Sequence, residues 1–227
     1  MGAKKIKVKK KPTEKAEEIL SFTDRVLEWG RANVAYLAGA VGGIVLVTLI
    51  VWGVGLYNQS KERSAGRDYA RLTADGPVDP RNQEALKARL DAFTAFLEEH
   101  RGTGAAALAM VDMARLLEEA GRHEEALQWY DRAAGEIPRG SSLDLAVDYG
   151  RALTLEALGR VDEALAAWSG LAVKADDGLK RECLWHQARL AAQKGDREGA
   201  RGYYDLALKT EGAYPGDGLL QAERNAL

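Results

Sequence analysis

Cysteine is almost absent from this sequence of 227 residues. Cys183 stands alone, which excludes an intrachain disulfide and any zinc site built on several cysteines. It reads as a small buried helix residue, the alternative being an intermolecular disulfide in an oxidising compartment. Histidine is scarce as well. His100, His123 and His186 are scattered; only Cys183 and His186 come close, three apart on one expected helix, half a metal site at most. The histidines therefore read as surface side chains. There is no Gly-rich phosphate loop, no nucleophile elbow and no His-Glu-x-x-His. The acidic pairs Glu118-Glu119, Glu124-Glu125 and Asp176-Asp177 fall in or near expected turns and read as solvated helix ends. No catalytic, cofactor-binding or metal-binding residue is assigned, and the chain reads as a non-enzyme. Residues 61–227 carry 23 Lys/Arg against 29 Asp/Glu, so this mildly acidic part has no basic stripe for nucleic acid. β-branched residues are few outside one segment, whereas Ala, Leu, Glu and Arg abound, which favours helix.

What is present begins with 29 consecutive uncharged residues between Arg31 and Lys61, rich in Val, Ile, Leu, Ala and Gly. About 20 apolar residues cross a hydrocarbon core of about 30 Å. Trp29 and Tyr36 bracket one end and Trp52 and Tyr57 the other, as interfacial anchors do. A cleaved signal peptide has an apolar stretch of about 7–15 residues behind a short basic leader. This stretch is too long for that, so an uncleaved signal anchor is expected. Lys4, Lys5, Lys7, Lys9, Lys10, Lys11, Lys15, Arg25 and Arg31 precede it, and only Lys61, Arg63 and Arg67 follow closely. The positive-inside bias then predicts a cytoplasmic N-terminus and an external soluble part, in the periplasm if the cell is Gram-negative. The run Lys4 to Lys11 reads as the topology signal, with binding to anionic membrane lipid as the alternative. Thr13 to Arg31 is expected to form a short amphipathic helix at the interface, with Ile19, Leu20, Val26 and Leu27 among its charges. Ala35, Gly39 and Gly43 form a small-residue ladder that would let a second span approach, one route to a homo-oligomer.

Beyond the span the sequence repeats itself. Gly121-Arg122-His123-Glu124-Glu125-Ala126-Leu127 aligns with Gly159-Arg160-Val161-Asp162-Glu163-Ala164-Leu165 and with Gly195-Asp196-Arg197-Glu198-Gly199-Ala200-Arg201. Nine residues after each glycine stands an aromatic, Tyr130, Trp168 or Tyr204, and seven before it an alanine, Ala114, Ala152 or Ala188. A helical hairpin explains the spacing. The glycine ends the first helix in the left-handed conformation. The alanines allow close helix approach, and the aromatic fills the space between hairpins. Leu86 to His100 reads as a second helix in the same register, with Ala92 and Phe96 as its alanine and aromatic. Its partner is Gln59 to Asp75, continuing from the span, and Asp75 to Arg81 is the break, with Pro77 and Pro80. Tyr214-Pro215-Gly216 stops the last hairpin, and Leu219 to Leu227 reads as a cap over its apolar end.

These residues resemble the tetratricopeptide repeat. The best match runs from Met110 to Pro138, with Ala114, Leu117, Gly121, Ala126, Tyr130, Ala133 and Pro138 at signature spacings. Later copies depart from the pattern: Asp148 and Arg151 stand at usually apolar positions, Gln187 and Ala191 replace larger residues, and Asp176 and Gly212 replace the terminal proline. The resemblance implies a groove lined by first helices. In its register lie Leu108, Val111, Arg115 and Glu118, then Tyr149, Leu153 and Glu156, then Glu182, Trp185, Arg189 and Gln193. Arg115, Tyr149, Leu153, Trp185 and Arg189 are the candidate partner contacts, since aromatics and Arg dominate interface hot spots. The alternative for Tyr149 and Trp185 is packing inside their hairpins.

The expected fold is thus all-α, a transmembrane helix followed by a tetratricopeptide-like solenoid of roughly three and a half hairpins. A basic cytoplasmic segment occupies 1–31, the span 32–58, a half repeat 59–103, three repeats 104–213 and a C-terminal cap 214–227. This layout is similar to that of the YfgM-like family, bacterial inner-membrane proteins regarded as ancillary to the Sec translocon and to periplasmic chaperones. It implies a single-pass inner-membrane protein with a periplasmic domain. Its partners would be Sec translocon subunits, periplasmic chaperones or secreted clients. The competing reading is a homo-oligomeric envelope organiser acting in cell-wall synthesis or division.

Overall fold

A computed structural model describes residues 23–211 and 216–227, which are helical with no strand. The basic run from Lys4 to Lys15, the Ile19-Leu20 part of the interfacial helix, Gly212 and the Tyr214-Pro215 stop lie outside the described residues. The chain divides into two units, Met1–Gln59 and Ser60–Leu227.

In the first unit residues 23–32 are helical. Asn33 then interrupts, its side-chain amide donating to the Trp29 carbonyl at 2.8 Å. Helix α1, Val34–Thr73, follows. It is long and apolar enough to cross a membrane, and no residue of its most apolar stretch is buried.

The second unit begins with the last turns of α1. It continues through α2 (Gln83–Glu99), α3 (Gly104–Glu119), α4 (His123–Glu136), α5 (Ser142–Ala157), α6 (Val161–Lys174), α7 (Asp177–Gln193), α8 (Arg197–Lys209) and α9 (Asp217–Asn225). Each first helix of a pair starts on a capping side chain. Thr103, Ser141 and Asp176 accept from the backbone N–H groups of Ala106, Asp144 and Leu179. Glu62 on α1 adds a second acceptor at the start of α3, 3.1 Å from the Gly104 N–H. Each first helix stops at a glycine with positive φ: Gly121 at 74°, Gly159 at 70°, Gly195 at 84°. There the backbone closes paired bonds, Gly121 N–H to Glu118 and Arg122 N–H to Leu117 in the first repeat, with the same pattern in the others.

The contacts inside the hairpins are made by alanines. Ala114, Ala126, Ala152, Ala164, Ala188 and Ala200 are all 0% exposed, so any larger side chain there would force the helices apart. Two polar residues at usually apolar positions find partners instead. Asp148 pairs with Lys174 at 2.6 Å, and Arg151 with Asp131 at 2.7 Å. Asp144, buried in α5, accepts from the Gly140 N–H at 2.8 Å; that bond and the Lys174 ammonium hold its carboxyl below the usual range. Gln187 and Ala191 are buried in α7, the Gln187 Nε2 without a hydrogen-bond partner among the described residues.

Two expectations are corrected. Ala92 is exposed, and the buried stripe of α2 is Leu86, Leu90, Phe93, Phe96 and Leu97. Large side chains fill the space between α2 and its neighbours, so Phe93 takes the inward position one residue on. Nor are the histidines surface groups. His100 and His186 are both buried, and His123 is half-buried. His100 packs on Phe96, its ring 4.6 Å away, with Nε2 3.3 Å from Asp68. His186 is treated likewise by Trp168 and Glu156. An aromatic face for the ring and a carboxylate for the polar edge make burial tolerable.

Candidate protein-binding site

Twelve residues before its second-helix aromatic, each of the first two repeats carries a glutamate, Glu118 before Tyr130 and Glu156 before Trp168. The Tyr130 hydroxyl donates to Glu118 at 3.1 Å, and the Trp168 indole N–H donates to Glu156 at 2.6 Å. The following hairpin uses the same carboxylates. Thr154 donates to Glu118 at 2.9 Å, and His186 Nδ1 lies 2.8 Å from Glu156. Each glutamate therefore ties its own hairpin to the next. Burial and then the Glu118 charge push the Tyr130 hydroxyl upward, so it stays protonated and remains a donor at neutral pH.

The aromatics set the spacing between hairpins. Trp168 stacks on His186 at 4.1 Å and 12°, and meets Tyr149 edge-on at 5.3 Å. Tyr130 lies against α5 so closely that a Cβ on Gly150 would stand 2.3 Å from its ring. Only glycine fits there.

Between α3 and α5 this framework leaves a cavity of about 660 Å³. Leu108, Val111, Leu143, Leu145, Ala146, Leu153 and Leu179 form its apolar lining, with Tyr149, Asp112, Arg115 and Glu118 among the polar contributors. Of the candidate contacts, Arg115 is exposed and Tyr149 and Leu153 are half-buried here. The carboxylates on this side are already engaged: Asp112 accepts from the Tyr69 hydroxyl, Glu118 from Tyr130 and Thr154, and Glu182 from Tyr149 at 2.7 Å. Arg115 makes no hydrogen bond or ion pair among the described residues. Arg189 lines a different depression of about 450 Å³, with Glu156, Leu190, Gln193 and Tyr204. Trp185 lines neither. It is half-buried against α9, its indole N–H donating to Glu223 at 2.7 Å and the Arg189 guanidinium 5.2 Å from its ring centroid. The structure thus brings Arg115, Tyr149 and Leu153 together and sets Trp185 and Arg189 apart. Ala133 is buried, and Pro138, just past α4, is exposed.

Two residues with central roles carry no repeat signature. Glu223 is one. The other is Arg181, 2% exposed, whose guanidinium donates to the carbonyls of Ala207 (3.1 Å), Thr210 and Glu211 (3.3 Å) at the end of α8. Burial, then Glu182, push the Cys183 thiol up to about 12, so it stays protonated at neutral pH. Among the described residues no three His, Cys, Asp or Glu side chains gather as a metal site.

Glycine-stopped helix pairs joined through alanines and spaced by aromatics define the class: a tetratricopeptide-like α-solenoid. The chain is similar to a tetratricopeptide repeat protein from Parabacteroides merdae, with a TM-score of 0.55 and 18% identity, covering 69% of this chain and 58% of that one. It is similar also to the 41-end form of MamA from Desulfovibrio magneticus RS-1, at 0.52 and 11%, covering 73% and 86%. A third structure is a Podosopora anserina putative kinesin light chain with nearly identical tetratricopeptide-like repeats, at 0.52 and 14%, covering 74% and 83%. The likeness at these identities is one of fold. No protein-family profile and no curated protein sequence matches the chain significantly.

Proposed function

We propose that this protein is a membrane-anchored scaffold for protein–protein interaction. Its repeats lie outside the cytoplasm, in a bacterial periplasm, and serve protein translocation or periplasmic chaperoning. The observation that carries the reading is the cavity between α3 and α5. Its walls are mostly aliphatic, its carboxylates are held by in-chain donors, and Arg115 is left exposed beside Tyr149 and Leu153. Such a surface offers apolar burial and one directional cation to a polypeptide. The anchor rests on α1, whose most apolar stretch has no buried residue and belongs in hydrocarbon rather than water. The orientation rests on the basic excess before the span, and the translocation role on the resemblance of the sequence layout to that of YfgM-like proteins.

Two measurements test the reading. A reporter active only outside the cytoplasm, fused after Leu227, is expected to be active; activity confined to a cytoplasmic reporter contradicts the topology. Membrane-permeable crosslinking followed by partner identification is expected to recover translocon subunits, periplasmic chaperones or secreted clients. Recovery of the chain alone, or of wall-synthesis enzymes, favours the envelope-organiser reading and sinks this one.

A further inference from the structure

The last turns of α1 give one side to the repeats. Ala65 is 0% exposed, and Tyr69 and Leu72 pack against the same core. At helical periodicity Ser60, Arg63, Arg67 and Ala70 fall on the opposite side, with Gly66 and Arg71 at its margins. All of these are exposed, and a Cβ on Gly66 would meet nothing within 4 Å.

This outer face carries charge of one sign. Arg63, Arg67 and Arg71 form a ladder at four-residue spacing. Arg71 pairs with Asp68 at 2.8 Å, whereas Arg63 and Arg67 make no hydrogen bond or ion pair among the described residues. The neighbouring acids sit on the flanks and are engaged: Glu62 accepts the Gly104 N–H, and Asp68 lies 3.3 Å from His100 Nε2. Other helices mix signs on their exposed sides, as Glu84, Lys87 and Asp91 do on α2, Asp131 and Arg132 on α4, and Glu198 and Arg201 on α8. Residues 61–227 carry more acid than base, so an acid-free face with three arginines runs against the composition. Its place in the array differs too. First helices α3, α5 and α7 each pack against the second helix before them, and α1 has no such neighbour among the described residues.

We propose that the outer face of α1 is a docking surface for an acidic helix of a partner protein, one whose carboxylates recur every four residues. A helix laid along α1 with that spacing brings a carboxylate to a guanidinium at each successive turn. The planar fork of arginine grips a carboxylate through two parallel bonds. Ser60, Gly66 and Ala70 keep the surface low beside the arginines, so the partner's backbone can come close. A second copy does not fit here, because the same face would set arginine against arginine. A lipid headgroup needs neither the spacing nor the small residues. The surface is separate from the α3–α5 cavity and stands or falls independently of it.

The test uses the full chain in neutral detergent micelles and a fluorescein-labelled, alanine-based helical peptide with glutamate at every fourth position, read by anisotropy. Binding is expected, and Arg63→Glu combined with Arg67→Glu should weaken it about tenfold. Both side chains are exposed, so helical circular dichroism should be unchanged. Arg197→Glu combined with Arg201→Glu, also exposed and four apart but on α8, alters net charge equally and should leave affinity within about twofold. A peptide of the same composition with its glutamates spread around the helix should bind about tenfold more weakly. No binding, equal loss from the two double variants, or equal binding of the two peptides overturns the proposal. In intact cells, a photo-crosslinking amino acid at Ala70 is expected to join the chain to a protein segment with that acidic spacing, and the Arg63→Glu, Arg67→Glu chain to lose the adduct. No adduct, or adducts with lipid or with a second copy, also overturns it.

Discussion

Trp168→Ala is expected to lower the stability of the repeat array by about 3–5 kcal/mol, the range for truncating a fully buried large aromatic. The side chain is 0% exposed and does three things at once. It stacks on His186, supports the edge of Tyr149, and donates to Glu156, which also holds His186. Truncation leaves a cavity between two hairpins and strips Glu156 of one donor. Urea unfolding of the full chain in micelles, followed by helical circular dichroism, reads the loss. Val173→Ala is the internal control, because Val173 lies on the same helix but is 87% exposed. It should stay within about 0.5 kcal/mol of the unaltered chain. If the two variants behave alike, Trp168 is not the spacer between hairpins.

Arg181→Met should cost about 3 kcal/mol or more, felt mainly in α8 and α9. A buried guanidinium is uncommon, and this one is offset by carbonyls at the end of α8 and by Asp217 at 3.7 Å. Ala207 is buried and its carbonyl also accepts from the Thr210 N–H at 3.2 Å, and Thr210 and Glu211 lie just past the last turn. A buried guanidinium or acceptor left without its partner costs about 1–3 kcal/mol or more. Arg181→Lys separates fork from charge. An ammonium retains the charge but cannot address several carbonyls in the planar geometry of arginine, so lysine should recover less than half of the loss. Hydrogen exchange should show the change in residues 197–211 and little in α3 to α5. Full rescue by lysine would mean that attraction to Asp217, and not the carbonyl contacts, is what matters.

The fold was legible because its determinants are local and recur. Gly121, Gly159 and Gly195 end helices by a backbone conformation that glycine alone enters easily. The alanines five residues later and seven before are small because two backbones meet there. Spacing along the chain encodes all of this. The half repeat was harder, since α2 has no glycine and its buried stripe is made of large residues; alignment on one alanine and one aromatic put Ala92 where Phe93 belongs. Burial of His100 and His186 depends on Asp68 and Glu156, each on another helix, and periodicity within one helix carries no trace of that.

The site shows the same boundary. First-helix register places Arg115, Tyr149 and Leu153 on one face, and the structure joins them in one cavity. The register gave Glu118 and Glu156 to the groove as well, although their oxygens are engaged in holding hairpins together. Trp185 has the groove spacing too, yet its partner is Glu223, 38 residues further on in a helix without repeat signature. Likewise Arg181 could not be recognised from its own helix. Its carbonyl partners lie 26 to 30 residues away.

A photo-crosslinking amino acid introduced in turn at Leu108, Leu153 and Val173 of the full chain, in intact cells, bears most directly on the scaffold reading. Leu108 and Leu153 line the α3–α5 cavity, and Val173 is exposed outside it. Adducts with other proteins are expected at 108 and 153, absent at 173, and reduced by Arg115→Glu, which removes the exposed cation. Adducts equally abundant at 173, or only self-adducts at 108 and 153, would contradict a partner-binding groove at this place.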